Sequence, residues 1–459
     1  MGALKQYIDF YRTNSAEIDA NSAPALNALR QKALEALDGK ELPHKGEENY
    51  EVTDVDALFA PDYGINVNRR PLDVDIAEAF RCDVPNMSTW LYVAVGDIYR
   101  SSRTAGLNMP ASVIVGSLRE AAIAHPEIVA KYYGKYASLD DAHVALNSLL
   151  AQDGLLVYVP SGVVLERPVQ LVNIMNAAAK IMAFRRILVV VEDGAQARLL
   201  VCDHTQKVDE DCLASQVVEI YVGADATFDY YDIEETGVHT HRVSSLFVHQ
   251  EAGSNVLVDG ITLMNGTSRN DYRIDFCGEH AETRLLGMAI SNGDQHIDNH
   301  TFIAHNAAAC TSNELFKYVL DDNAQGAFSG KILVAPDCPK TEAYQSNRNI
   351  CASPTAKMHT KPQLEIYTDD VKCGHGATVG QLDQEALFYM RTRGIPYDDA
   401  RTMLMQAFMS DVIDAVRLDN LRDRLHHLVE KRFDGSLALC RDCGNACHNN
   451  SLNNKNNNK

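Results

Sequence analysis

From about residue 154 onward the chain is a succession of short runs rich in Val, Ile, Leu, Tyr and Phe, each closed by a turn. Runs at 155–159, 187–191, 217–222, 246–249, 274–277, 302–305 and 332–336 end in Gly, Asp or Asn turns such as Glu192-Asp193-Gly194, Gly223-Ala224-Asp225 and Glu251-Ala252-Gly253. The turns recur about every 25 to 35 residues, a spacing typical of solenoid repeats. Second short strands are predicted at 163–165 and 197–201. No helical pattern of about ten residues or more interrupts this for roughly 200 residues, which speaks against a βαβ sheet. A β-helix or a large sandwich remains, and the long, loosely repeated period favours the β-helix.

The flanks read differently. Residues 1–150 are mostly helical in pattern. Leu26, Leu29, Ala33, Leu34 and Leu37 line one face of a helix over 24–37, with Asn21 or Ser22 as its cap and Pro24 in its first turn. Further helices are predicted over 118–133, split by Pro126, and over 142–150. Helical periodicity returns at 396–433, where Asp398 is placed as a cap. Met403, Leu404, Ala407 and Phe408 form one stripe and Leu421, Leu425 and Leu428 a second. The expected division is a helical domain at 1–150, a β-core at 151–394, a helical domain at 395–435 and a cysteine-containing flexible tail at 436–459.

A net charge of −20 speaks against nucleic acid or an anionic membrane as partner. No apolar run reaches the roughly 20 residues of a bilayer span, and the first residues lack a signal-type apolar stretch, so the expected location is cytoplasmic. Eleven cysteines at irregular spacing do not form a disulfide framework. Cys82, Cys202, Cys212, Cys277 and Cys310 read as small core or near-surface residues. Gly326 to Lys331 has the wrong spacing for a P-loop, and neither G-x-G-x-x-G opening a helix nor G-x-S-x-G is present. The expectation is a non-enzyme without ATPase activity of its own.

Three groups of residues could carry chemistry. Cys373 and His375 lie two apart in an extended segment, so both point to one face, with glycines at 374 and 376. Thiolate and imidazole suit iron, zinc or iron–sulfur clusters, but two donors are half a tetrahedral site. His296, Asp298 and His300 share a strand face that reads as a polar surface or as a divalent-metal site. Cys440, Cys443, Cys447 and His448 supply four soft donors next to a low-complexity end.

The stretch 361–390, KPQLEIYTDDVKCGHGATVGQLDQEALFYM, resembles the core signature of the SufB/SufD family of iron–sulfur cluster assembly proteins. The resemblance extends through 330–350 and 387–395, and more weakly to 47–59, with Tyr50, Thr53-Asp54 and Leu58-Phe59. Gly376 follows His375 where SufB-like chains carry glutamate, so the chain looks like the SufD type. The resemblance implies a right-handed parallel β-helix with N- and C-terminal helical domains. It implies pairing with a SufB-like paralogue through the β-helices, and docking of a SufC-like ABC ATPase on the C-terminal helices, where Met403, Leu404 and Phe408 are candidates. His375 would ligate iron or a nascent cluster shared with the SufB partner, transiently rather than as a permanent cofactor. Cys373 would be a second ligand or a supporting group. Lys340, Gln345, Asn347 and Lys361 match polar signature positions. Alternatives are a SufB-like homodimeric scaffold with SufC, or a β-helix enzyme acting on polysaccharide.

Overall fold

Alternating side chains on parallel strands build a two-sheet solenoid, closed in by helices at its N-terminal part. The computed structural model describes residues 2–74, 88–101, 108–176, 178–206 and 210–435. One ten-stranded sheet carries β5 (Leu155–Val159), β7 (Ile181–Val191), β9 (Cys212–Val222), β11 (Thr240–Gln250), β13 (Thr267–Phe276), β15 (His296–His305), β17 (Gln325–Val334) and β19 (Lys357–Ile366). The other carries β6 (Val169–Asn176), β8 (Gln196–Gln206), β10 (Thr227–Glu235), β12 (Asn255–Met264), β14 (Glu282–Ser291), β16 (Thr311–Leu320), β18 (Thr341–Cys351) and β20 (Val371–Gly380). The chain alternates between them, so each coil lays one strand on each sheet, parallel to the one below.

The interior explains the sequence pattern. Val189, Ile220, Val248, Ile274, Ile303, Ile332 and Leu364 stand in register on successive coils and form a continuous aliphatic ladder. Each buried aliphatic side chain contributes roughly 1.5–3 kcal/mol, and stacking lets every coil complete the core of its neighbours. The corners are equally regular. Gly194, Asp225, Gly253, His280, Ala309 and Lys340 all have φ between +54° and +67° and open the turn into the second sheet. Ala195, Ala226, Ser254, Ala281, Cys310 and Thr341 follow them, small and fully buried. Gly, Asp and Gly suit that left-handed corner; His280, Ala309 and Lys340 adopt it at a steric cost of about 1–2 kcal/mol each. The segment 163–165, expected as a strand, holds only an isolated bridge from Val164 to Gln196.

Residues 1–150 contribute helices α1 (Leu4–Ala20), α2 (Pro24–Ala36), α3 (Val55–Phe59), α4 (Leu118–Ala124), α5 (Pro126–Tyr132) and α6 (Ala142–Leu150). They also contribute strands. β1 (Gly64–Ile65) pairs parallel with β7, β2 (Trp90–Val95) pairs parallel with β6, β3 (Ile98–Ser101) folds back antiparallel on β2, and β4 (Ile114–Ser117) pairs antiparallel with β5. The predicted split at Pro126 is present as the α4–α5 junction. Neither Asn21 nor Ser22 caps α2: its N-cap is Ala23, and Ser22 Oγ instead accepts from the buried Arg30 at 3.0 Å. Leu146 and Leu149 of α6 share a buried cluster with Met182, Phe184 and Leu213 of the first sheet. A fully buried Arg186–Glu219 pair at 2.6 Å anchors the loop after α5, because Glu219 also accepts the backbone N–H groups of Gly134, Tyr136 and Ala137. The guanidinium and three amides replace the water that the carboxylate loses.

The C-terminal helices α7 (Gln384–Thr392), α8 (Tyr397–Ile413) and α9 (Asp419–Phe433) form a second compact unit. Leu421, Leu425 and Leu428 are its buried stripe on α9. On α8 the N-cap is Pro396, and Asp398 lies inside the first turn, where a carboxylate favours the helix dipole rather than capping it. The buried face of α8 is Ala400, Met405, Met409 and Val412.

Candidate functional site

β20 ends the second sheet and hydrogen-bonds to β18 alone among the described residues. The Lys372–Glu342 ion pair at 2.7 Å and the approach of Gly374 to Tyr344 run the two strands in step. Val371 and Cys373 turn inward and pack against the solenoid core. His375 shares their face two residues on and is exposed. Burial raises the Cys373 thiol above its ordinary pKa, with the Ala343 backbone pulling the other way. A Cβ at Gly376 would meet open space, so nothing within the described chain requires glycine there.

The interior column leading to this strand changes character along the solenoid. Leu199, Tyr230, Val258 and Leu285 stand in register, and the next two positions are Glu314 and Gln345. Gln345 Nε2 donates to Glu314 Oε2 at 2.7 Å, and burial pushes the Glu314 carboxyl up to about 7. Continuing the β18–β20 register puts His375 beside Gln345. Asn347 is buried one step along, accepting from Asn349 at 2.6 Å. Of the polar positions that the sequence singled out, Gln345 and Asn347 are therefore interior. Lys340 sits at a left-handed corner, its N–H on Asp370 O at 2.6 Å, and Lys361 pairs with Glu51 at 3.0 Å.

The donor chemistry of Cys373 and His375 fits iron or an iron–sulfur cluster as cargo, with two positions left for ligands from outside. Among the described residues no group of three or more His, Cys, Asp or Glu side chains stands close enough to hold a metal ion. Cys440, Cys443, Cys447 and His448, like Cys82, lie outside the described residues.

His296, Asp298 and His300 do share the outer face of β15, but their polar atoms are committed elsewhere. Thr53 Oγ1 bonds His296 Nε2 at 2.7 Å and donates to Asp298 at 2.5 Å. Arg269 joins Asp298 at 2.8 Å and Asp271 at 2.6 Å, donates to Asn49 O, and lies 4.3 Å from the Tyr50 ring centroid. His300 faces Asp271 at 3.2 Å. Burial alone would raise Asp271, but Arg269 and His300 outweigh it and hold the carboxyl far below its usual range. A guanidinium thus occupies the place a cation would take. The cluster fastens residues 49–53 to the sheet beside a cleft of about 520 Å³. Sequence reasoning missed Asp271 and Arg269, whose partner Asn49 lies 220 residues away; Tyr50 and Thr53 were the visible signal.

In the C-terminal unit Met403 is 49 % exposed, while Leu404 and Phe408 are half-buried beside the packed face of α8. Phe388, Tyr389 and Tyr397 are exposed in the same unit.

Residues 173–408 match the family model for the SufBD core domain of SUF system FeS cluster assembly, and residues 1–171 match that for the SufBD protein N-terminal region. An iron–sulfur cluster assembly SufBD family protein of Synechocystis is 30% identical over 411 residues, 88% of this chain and 90% of that protein. The iron–sulfur cluster assembly protein SufD of Escherichia coli is 36% identical over 179 residues, 39% of this chain and 41% of that protein. SufD of Bacillus subtilis is 26% identical over 333 residues, 70% of this chain and 74% of that protein.

Proposed function

Because the chain belongs to the SufBD family of SUF-system iron–sulfur cluster assembly proteins, we propose that it is the SufD-type, non-ATPase scaffold subunit of a SufB–SufC–SufD complex and lends His375 to a cluster built at the SufB interface. The observation that carries this reading is the placement of Cys373 and His375 on one face of β20, at the end of the solenoid, with the imidazole exposed. A cluster assembled for donation needs ligation that a partner completes and can release, and an exposed imidazole beside a half-buried thiol has that character. Cys373 packs on the core and serves as a second ligand or as support for the ring. The edges of β19 and β20, unpaired among the described residues, suit pairing with a homologous solenoid. The exposed Phe388, Tyr389, Tyr397 and Met403 suit docking of an ATPase subunit, which would supply the nucleotide chemistry.

The test has two stages. A tag on this chain, purified without oxygen, should bring down a SufC-like ATPase and a SufB-like paralogue. Recovery of the ATPase alone would favour a homodimeric scaffold, and recovery of neither would end the scaffold reading. In the reconstituted complex His375→Ala should keep the subunits together and lower cluster yield at least tenfold; an unchanged yield refutes the role of His375.

A further inference from the structure

On the outer face of the solenoid, far along the chain from Cys373 and His375, a thiol, an imidazole and a carboxylate stand in line. Cys277, just past the end of β13, is exposed. Its Sγ lies 3.3 Å from His249 Nδ1, and His249 Nε2 lies 3.0 Å from Glu251 Oε1. The carboxylate accepts the Nε2 proton, which leaves the Nδ1 lone pair directed at the thiol. The ring is clamped on its other side: its centroid is 5.5 Å from that of Tyr221, stacked, and 4.7 Å from that of Tyr136. Two hydrogen bonds and two aromatic faces therefore fix a base against a solvent-facing sulfur, the constellation of an activated nucleophile.

We propose that Cys277 is an oxidation site at which His249, oriented by Glu251, activates the thiol toward hydrogen peroxide. The sulfur attacks one peroxide oxygen and the O–O bond breaks. The thiol proton passes by way of His249 Nδ1 to the departing hydroxide, giving Cys277 sulfenic acid and water. Sulfur is oxidised by two electrons and peroxide is reduced by two. Glu251 stabilises the imidazolium formed on the way. The charge around the site selects the oxidant. Glu251 and Asp275 set negative charge beside the thiol, and Arg273 is paired to Asp275 at 2.8 Å. An anionic disulfide is repelled there, while a small neutral peroxide is not. Burial, with Asp275 and Glu251 close by, pushes the thiol up to about 11, so base assistance and not a resting thiolate carries the reaction. Sulfenic acid is reversible by free thiols.

The full-length protein is treated with hydrogen peroxide at neutral pH, trapped with dimedone, and its cysteine peptides are quantified by mass spectrometry. Cys277 is expected to be labelled at least tenfold faster than Cys351, which is half-buried with no imidazole acting on it among the described residues. His249→Gln should abolish the excess, and Glu251→Gln should lower it severalfold, with folding of each variant checked by its melting curve. The pH profile separates the mechanisms. Assistance by the imidazole gives a rate that reaches a plateau, whereas unassisted attack climbs tenfold per pH unit toward the pKa of the thiol. Labelling of Cys277 no faster than Cys351, or a rate that climbs without a plateau in both the parent and Glu251→Gln, overturns the proposal.

Discussion

Asp259 offers the sharpest test of how the second sheet is buried. It lies on β12 facing away from the core ladder, is 0 % exposed, and neither carboxylate oxygen has a hydrogen-bond partner among the described residues. Desolvation pushes its pKa up to about 8, with only Arg284 opposing. The folded protein therefore holds a proton that the unfolded chain releases near pH ~4. Between those values the unfolded state binds fewer protons, so stability falls as pH rises, by about 1.4 kcal/mol per pH unit, and levels off above pH ~8. From pH 5 to pH 8 the loss from this one group is about 3–4 kcal/mol. Asp259→Asn keeps the shape and cannot ionise. It should match the parent within about 1 kcal/mol at pH 5 and exceed it by about 3 kcal/mol at pH 8. Glu314, pushed up to about 7 for the same reason, titrates in both proteins and cancels in the difference. The single tryptophan, Trp90, is buried on β2 within the solenoid unit, so its fluorescence during urea unfolding reports that unit. Parallel pH profiles for the two proteins would show that Asp259 finds solvation when ionised and would refute the argument.

Arg269→Met should cost about 3–5 kcal/mol, because Asp298 and Asp271 are left without their cation; amide hydrogen exchange should show faster opening of residues 49–53. The depressed Asp271 makes its contribution above pH ~4 and loses it as pH falls further, so acid unfolding of this variant should be shallower than that of the parent. Gly287→Ala places a methyl group inside the Phe316 ring and should destabilise by about 1–3 kcal/mol, whereas Gly376→Ala, facing open space, should stay within about 0.5 kcal/mol in urea unfolding.

The turn chemistry of the β-core was legible. Gly194, Asp225 and Gly253 were marked as turn residues, and each occupies the left-handed corner of its coil. Half of the strands were not, because runs such as 227–235 and 282–291 mix Asp, Glu and Gly into the interior face and lose their alternation. The interior also holds Arg185, Arg242, Asp203 and Asp232, paired at 3.0–3.1 Å, which read as surface residues in isolation. On α8 the apolar stripe came out one residue early: Met403 is exposed while Met405 and Met409 are buried, since methionine and leucine occupy both faces and only the neighbouring helices decide which is inside.

The sequence by itself determined what depends on local alternation and turn geometry: a solenoid, its corners, and the shared face of Cys373 and His375. The tertiary structure alone decided which side chains meet across coils. That depends on the register offset, 28 residues from β9 to β11, 29 from β13 to β15 and 31 from β16 to β18. The offset is set by how many residues each corner consumes, and parity along one strand carries no record of it. His249 against Cys277, Gln345 on Glu314, and Arg269 between Asp298 and Tyr50 are all products of that count.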